Sequence, residues 1–379
     1  MSSFQGIQIG SSGLFMAQKQ IDVTAHNLAN ANTLGYTRQR FVSQSISPVV
    51  GAVRLMPMVK GMIGYGVEAL SLDQIRDAFL DKQFRKENSD TNYWVTKGEN
   101  LYFIVDMFNA IGENGFGNMI NTFFNAFSDL ETASNDEDRR TIVLNKAKEL
   151  VAQMHTFHDK LSGMQTELND QIAVMAHKVN LISSQITDLN KQIFNFELSG
   201  QTANDLRDHR NLLIDELSSY VDITVDYTPD KNGYETCQLY IGSKGQGQKI
   251  LDHYESFDIV TEIGDDMVCG TEYDAIPHYM NKLTLDGSDL IISSGQIKAM
   301  FDIRDGDDVK NQGIPYYVHQ LDKLVESIVK EVNAIHEQGY TRPYDGVDST
   351  NGIPFFDPAG ITAKTIDLSS YLSDKNGIF

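Results

Sequence analysis

Apolar side chains recur at helical spacing through most of this chain, and the stretches differ in what they are able to bury. The first carries Phe4, Ile7, Leu14, Ile21, Ala25 and Leu28 on a heptad grid, with Ser11 and Gln18 in the two remaining slots. One narrow face of the predicted helix is therefore apolar. A lone helix of this length is marginal in water until such a face is covered, so the pattern predicts a helix that needs a partner. Asn27, Asn30, Asn32 and Gly35 then supply residue types that leave helical geometry easily. They predict a stop near Ala29 to Ala31 and a turn, followed at once by Tyr36, Arg38 and Arg40.

From 41 to 71 the text is Ser47-Pro48, Gly51, Pro57, Gly61, Gly64 and Gly66 with short β-leaning runs between them. It reads as an irregular linker with a short hairpin. Helical spacing resumes near Leu72, where Ile75, Phe79, Phe84, Trp94, Leu101, Ile104, Val105 and Phe108 are expected to face inward from one long helix, with an interruption allowed at Gly98. After a turn at 112–117 comes a second helix with Met119, Ile120, Phe123, Phe124 and Phe127 on a dense face, expected to be core. Asp136 is placed to cap the next helix, with acids in its first turn.

That next helix carries the strongest pattern in the chain. Ala147, Leu150, Met154, Phe157, Leu161, Met164, Leu168, Ile172, Met175, Val179, Ile182, Ile186, Leu189, Ile193 and Phe196 step by three or four, with one stutter at 164–172. A seam of this length, roughly 75 Å at 1.5 Å per residue, predicts a rod rather than a helix inside a globule. Gly200 ends it, and Asn204 or Asp205 is expected to cap a further helix to Tyr220. From 221 to 294 the pattern changes to short β-type runs separated by Gly, Asp and Asn. Helical spacing then returns through Tyr317, Leu321, Leu324, Ile328, Val332 and Ile335, before a Pro/Gly/Asp-rich tail from Gly339. The expected fold is mainly α with a β insertion: an elongated long-helix bundle or coiled-coil rod, a small β-rich domain looping out, and an N-terminal amphipathic helix for assembly. The expected domains are 1–71, the rod at 72–220 with 295–379, and the inserted β domain at 221–294.

HNLANANTLGYTRQR at 26–40 closely resembles the N-terminal signature of the bacterial flagellar axial proteins, the rod, hook and hook-associated proteins. The Gly35-Tyr36-Thr37-Arg38-Gln39 ending is most similar to hook-associated members at the junction of hook and filament. Residues 66–89 are similar to the stretch leading into the family's first helical domain, and 204–223, 294–307 and 351–357 also look like hook-associated counterparts. The resemblance implies a structural subunit that builds a ring or short helical layer, with the hook protein and a second junction protein as partners. It also implies an export chaperone and a place in the extracellular flagellum. Leu14, Ile21 and Leu28 are then the expected buried stripe, Asn27, Asn30, Asn32 and Gly35 the turn, and Tyr36 and Arg38 contacts to neighbours. Family members end in a second amphipathic helix that pairs with the first; no such pattern is read in 339–379, which is expected to reflect either a truncated sequence or a subunit with half of the usual core.

Charge sharpens the first segment's difference from the rest. The 379 residues carry a net −21, which disfavours nucleic acid or an anionic membrane as partner. Yet residues 1–60 hold five cations against one anion, Asp22, and stand at +4. Residues 221–294 hold fourteen acids against four bases, read as a well-solvated surface rather than a cation site. No run approaches the roughly 18 apolar residues of a membrane span, and the N-terminus lacks the charged and apolar regions of a cleaved signal. Cys237 and Cys269 form no CxxC pair; a bridge between adjacent strands and two free thiols both stand, the second preferred.

Candidate chemistry is sparse. His155 and His158 lie one turn apart without a third ligand and are read as solvated rather than as a zinc site. DIRDGDD at 302–308 lacks the order of a calcium loop, and Gly242, Gly245 and Gly247 do not form a phosphate-binding loop. No catalytic residue, cofactor or metal is expected, and the chain is read as a non-enzyme. The alternatives are another axial subunit, a rod-shaped secreted adhesin with an acidic head, or a hydrolase with a dispersed site.

Overall fold

The computed structural model describes residues 3–46, 64–108, 115–231, 233–242, 247–264, 280–341 and 349–373. In chain order these form α1 (Ser3–Ala29), β1 (Gln39–Ser45), β2 (Val67–Gln74), α2 (Ala78–Phe108), α3 (Phe116–Glu131), α4 (Glu137–Glu197) and α5 (Asn204–Tyr220). There follow β3 (Ile223–Pro229), β4 (Glu235–Ile241), β5 (Gln248–Asp252), β6 (Glu255–Ser256), β7 (Ile259–Ile263), β8 (Asn281–Leu285) and β9 (Ser288–Asp289). The last elements are α6 (Gln296–Asp305), α7 (Ile314–His336) and α8 (Ser370–Ser373). The fold is mainly helical with a β-rich insertion, as the period change at 221 predicts. The expected linker proves more regular at its ends: β1 and β2 pair antiparallel from Gln39↔Gln74 to Ser45↔Val67, with a bulge at Val42/Ser43. The Pro and Gly signals at 47–61 lie outside the described residues, as does Cys269.

Two compact units emerge. One comprises Met1–Ser89, Lys178–Ile259 and Leu290–Ser293. Its four-stranded antiparallel sheet runs β3-β4-β5-β6, with Ile223 opposite Ile241 and Tyr227 opposite Cys237. β4 alternates as a half-covered strand should, with Cys237, Leu239 and Ile241 buried and Gln238 and Tyr240 partly open. Side-chain amides of α4 hold the strands: Asn180 donates to the Ile259 carbonyl at 2.9 Å and accepts the Ile259 N–H at 2.8 Å, and Asn190 donates to the His253 carbonyl at 2.9 Å.

The other unit comprises Asp90–His177, Val260–Asp289 and Ser294–Phe379. Its core gathers Met119 and Phe123 of α3, Leu150, Met154 and Phe157 of α4, Leu321 and Val325 of α7, and Phe355, Phe356, Ile366 and Leu368. The Phe123 ring lies 6.0 Å from each of Phe355 and Phe356. Residues 349–373, within the Pro/Gly/Asp-rich tail, thus contribute to this core although they carry no periodic pattern. Asn333 of α7 secures them: its Oδ1 accepts the N–H groups of Phe355 and Phe356 at 2.9 and 2.8 Å, and its Nδ2 donates to the Phe356 carbonyl at 3.0 Å.

Several local expectations are met and several are corrected. Asp136 caps α4, accepting the Asp138 N–H at 3.0 Å, and the seam is buried along most of its length. Met175 is only partly covered and Ala176 takes the buried place, while Phe196, in the last turn, is exposed. α5 is preceded by Ala203 without a side-chain cap; Asn204 instead donates to the Leu72 carbonyl at 3.0 Å. α2 runs unbroken through Gly98, yet Phe79, Phe84 and Trp94 face outward. In the N-terminal half the side that turns in is polar: Arg85 Nε meets Asp215 Oδ1 at 2.7 Å, and Asn88 donates to the Asp215 carbonyl and to Ser218 Oγ; further on, Ile104 is buried as expected. His158 is buried rather than solvated, and His155 Nε2 lies 2.9 Å from the Ile366 carbonyl.

Candidate assembly interface

α1 has two faces, and the protein uses the less apolar one. Among the described side chains Ile9, Ser12, Met16, Val23 and Asn27 of α1, with Asn30 just past its end, are the partly covered positions, and their steps of 3, 4, 7, 4 and 3 trace one side of the helix. This side meets the β1–β2 ribbon. Ser12 Oγ donates to the Ile9 carbonyl at 2.9 Å and accepts the Val67 N–H at 3.3 Å. Leu14 and Ile21 lie on the other side, since two residues of helix turn through about 200°. Phe4, Ile7, Leu14, Ile21 and Leu28 are each 68–79% exposed. The apolar heptad stripe therefore points to solvent.

The turn after α1 is built from its own side chains. Asn30 Nδ2 donates to the His26 carbonyl at 3.1 Å, and Thr33 Oγ1 donates to Asn30 Oδ1 at 3.2 Å. Gly35 takes φ +80°, and a Cβ there would come within 3.2 Å of Leu212, so the position combines left-handed backbone with a close approach. Asn32 and Arg38 are exposed; Arg38 is anchored by its carbonyl, which accepts the Ile75 N–H at 2.8 Å.

Tyr36 points back into its own subunit. Its hydroxyl donates to Asn27 Oδ1 at 2.7 Å and lies 3.0 Å from His26 Nδ1, with the two rings edge to face at 5.5 Å. Burial first, then the negative charges of Asp205 and Asp208, push the phenol pKa upward, so the hydroxyl stays a donor at neutral pH. Asn27 also binds Gln39 in both directions, accepting its N–H at 2.8 Å and donating to its carbonyl at 2.9 Å.

α5 completes the arrangement. Asp208 accepts the Thr37 N–H at 2.9 Å and Gln74 Nε2 at 2.8 Å, and Asp205 accepts Gln39 Nε2 at 3.1 Å. Burial raises the Asp208 pKa against these hydrogen bonds. Asn204, Asp205 and Asp208 had no mark in the periodicity that would tie them to segments 130 to 171 residues away. Their one signal is the family-like patch at 204–223. Among the described residues no group of side chains could hold a metal ion, and no helix is long and apolar enough to cross a membrane.

Residues 103–356 match the family model of the flagellar hook-associated protein FlgK helical domain, and residues 7–37 match that of the flagella basal body rod protein. The chain is 29% identical to flagellar hook-associated protein 1 of Bacillus subtilis over 99% of its own length and 76% of the relative's. It is 29% identical to the protein of the same name from Salmonella typhimurium over 56% of this chain and 38% of that one. The fold is shared with the flagellar hook junction protein FlgK of Burkholderia pseudomallei, at TM-score 0.52 and 17% identity, over 69% of this chain and 44% of that chain. The chain thus spans about three quarters of the Bacillus relative and under half of the other two. With the helical-domain match covering well over half of its length, the chain belongs to the flagellar hook-associated protein FlgK family, a structural family of the flagellum and not an enzyme family.

Proposed function

We propose that this chain is a structural subunit of the junction between flagellar hook and filament, and that it joins neighbouring subunits through the outward stripe of α1. One observation carries the reading: Phe4, Ile7, Leu14, Ile21 and Leu28 are exposed in heptad register while the opposite side of the same helix is docked. Covering each such side chain contributes about 1.5–3 kcal/mol, which favours association over a solvated helix. In this reading the subunits form a ring or short helical layer with the hook protein below and a second junction protein above. They leave the cell through the flagellar export route, with a chaperone, and without a cleaved signal.

The test is complementation of cells that lack the protein, with Leu14→Asp or Ile21→Asp in the full-length chain. Electron microscopy should show bare hooks and flagellin shed to the medium. Filaments of normal number and length on cells carrying either variant would sink the proposal.

A further inference from the structure

We propose that Asn27 is a positioning residue for assembly: its carboxamide, rather than the turn that follows, sets the direction in which α1 presents its apolar stripe. The inference rests on the assembly reading and names the residue that makes the stripe usable. The backbone N–H and carbonyl of Gln39 both bind the Asn27 side chain, at 2.8 and 2.9 Å. A neighbouring strand satisfies a residue in the same two-way manner. On its other flank Gln39 is paired with Gln74 of β2. Asn27 therefore stands where a third strand would stand, and it hangs the helix from the edge of the β1–β2 ribbon.

Only an amide of this length serves. The Gln39 N–H requires an oxygen and the Gln39 carbonyl requires a donor, which fixes the carboxamide's orientation. Its oxygen also accepts the Tyr36 hydroxyl, leaving that hydroxyl oxygen free to accept from His26 Nδ1, 3.0 Å away. Aspartate keeps both acceptor contacts but sets a carboxylate oxygen against the Gln39 carbonyl. Alanine removes all three bonds. Phenylalanine at Tyr36 removes one and leaves the backbone pair intact. Gln39 is itself tied to α5 through Asp205, so the direction of α1 is referred to the body of its unit and not to a loose loop. Among the signature residues Asn27 and Tyr36 thus work within one subunit, while Leu14, Ile21 and Leu28 of α1 serve the contact between subunits.

The test uses the full-length chain with Asn27→Ala, Asn27→Asp, Tyr36→Phe and, as the control for the underlying reading, Ile21→Asp. Amide hydrogen exchange at Gln39 should speed up by roughly tenfold in Asn27→Ala and Asn27→Asp, the effect of losing a shielding hydrogen bond. Tyr36→Phe and Ile21→Asp should leave it close to the original rate. In complemented cells both Asn27 variants should lose filaments while Tyr36→Phe keeps them, and the unfolding temperature of the purified chains should fall by only about 2–4 °C. Unaltered Gln39 exchange in Asn27→Ala, or full filaments with it, overturns the positioning role while leaving the stripe intact. Loss of filaments in Asn27→Ala accompanied by a fall of more than about 10 °C in unfolding temperature also overturns it, since general destabilisation would then suffice. Full filaments with Ile21→Asp would instead remove the assembly reading itself.

Discussion

Arg210 of α5 and Glu235 of β4 meet at 2.7 Å, Nη2 to Oε1, with Arg210 only 2% exposed. Glu235 also accepts Arg207 Nη1 at 2.9 Å, and Arg210 Nη1 donates to Asn190 Oδ1 at 3.1 Å. The pair therefore joins three elements of one unit. Removing Arg210 leaves Glu235, 30% exposed, with Arg207 as its remaining partner and leaves Asn190 Oδ1 without its donor, a cost of about 1–3 kcal/mol. Arg210→Ala should lower the urea midpoint accordingly, and a loss below about 1 kcal/mol would show that the ion pair is replaceable.

Acid should weaken this unit in two stages. Burial pushes His253 downward from 6.5, and Arg210 adds to it, against the opposing pull of Asp252, Glu235 and Asp230. Geometry agrees: Nδ1 accepts the Cys237 N–H at 3.2 Å, which requires a neutral ring with its proton on Nε2. The unfolded chain takes up the proton near pH 6.5 and the folded one resists, so stability falls as pH drops below that value. Glu235 lies lower. Burial raises its pKa, but Arg210 and Arg207 outweigh burial and hold it below 4.5, so its contribution is full above that pH and is lost as pH falls further. Melting temperature against pH should show both slopes, with His253→Asn flattening the upper and Glu235→Gln the lower.

Asn333→Ala should be among the most damaging single changes in the other unit. It leaves the Phe355 and Phe356 N–H groups and the Phe356 carbonyl without their partner, in a core where both rings are fully covered. A loss of about 2–4 kcal/mol in denaturant unfolding is expected. A near-neutral result would mean that residues 349–373 hold their place by apolar packing alone.

Trp94 is the only tryptophan of the chain and is 67% exposed. The purified protein should emit at the wavelength of solvated indole, be quenched readily by acrylamide, and change little in emission on unfolding. A blue-shifted, protected emission would show that the outer side of α2 is covered in solution.

What was legible in the sequence depended on how far a residue's partner lies along the chain. The α4 seam repeats over fifty residues, and a local period of that length leaves little choice of which side is buried. Asp136 was readable for the same reason, since its partner is two residues away. Periodicity does not say which of two faces is the inner one, however. α2 presents Phe79, Phe84 and Trp94 outward because Arg85 and Asn88 find their partners on α5, about 130 residues on. Asn27 carried the mark of a turn former, and its bond to Gln39 across twelve residues has no periodic signature. The stripe of α1 was legible as a pattern; that the helix docks by its other side depended on Ser12 meeting Val67.

The Asn180 contact bears on the order in which the protein folds. An amide that grips both backbone groups of Ile259 is in place only after the turn of α4 around it has wound. A slip of the following strand by one position, which would send every side chain to the wrong surface, would forfeit both of these bonds. Helix formation is local and fast, whereas distant strand pairing is slow. A wound α4 thus acts as a ruler against which the later β segment is measured.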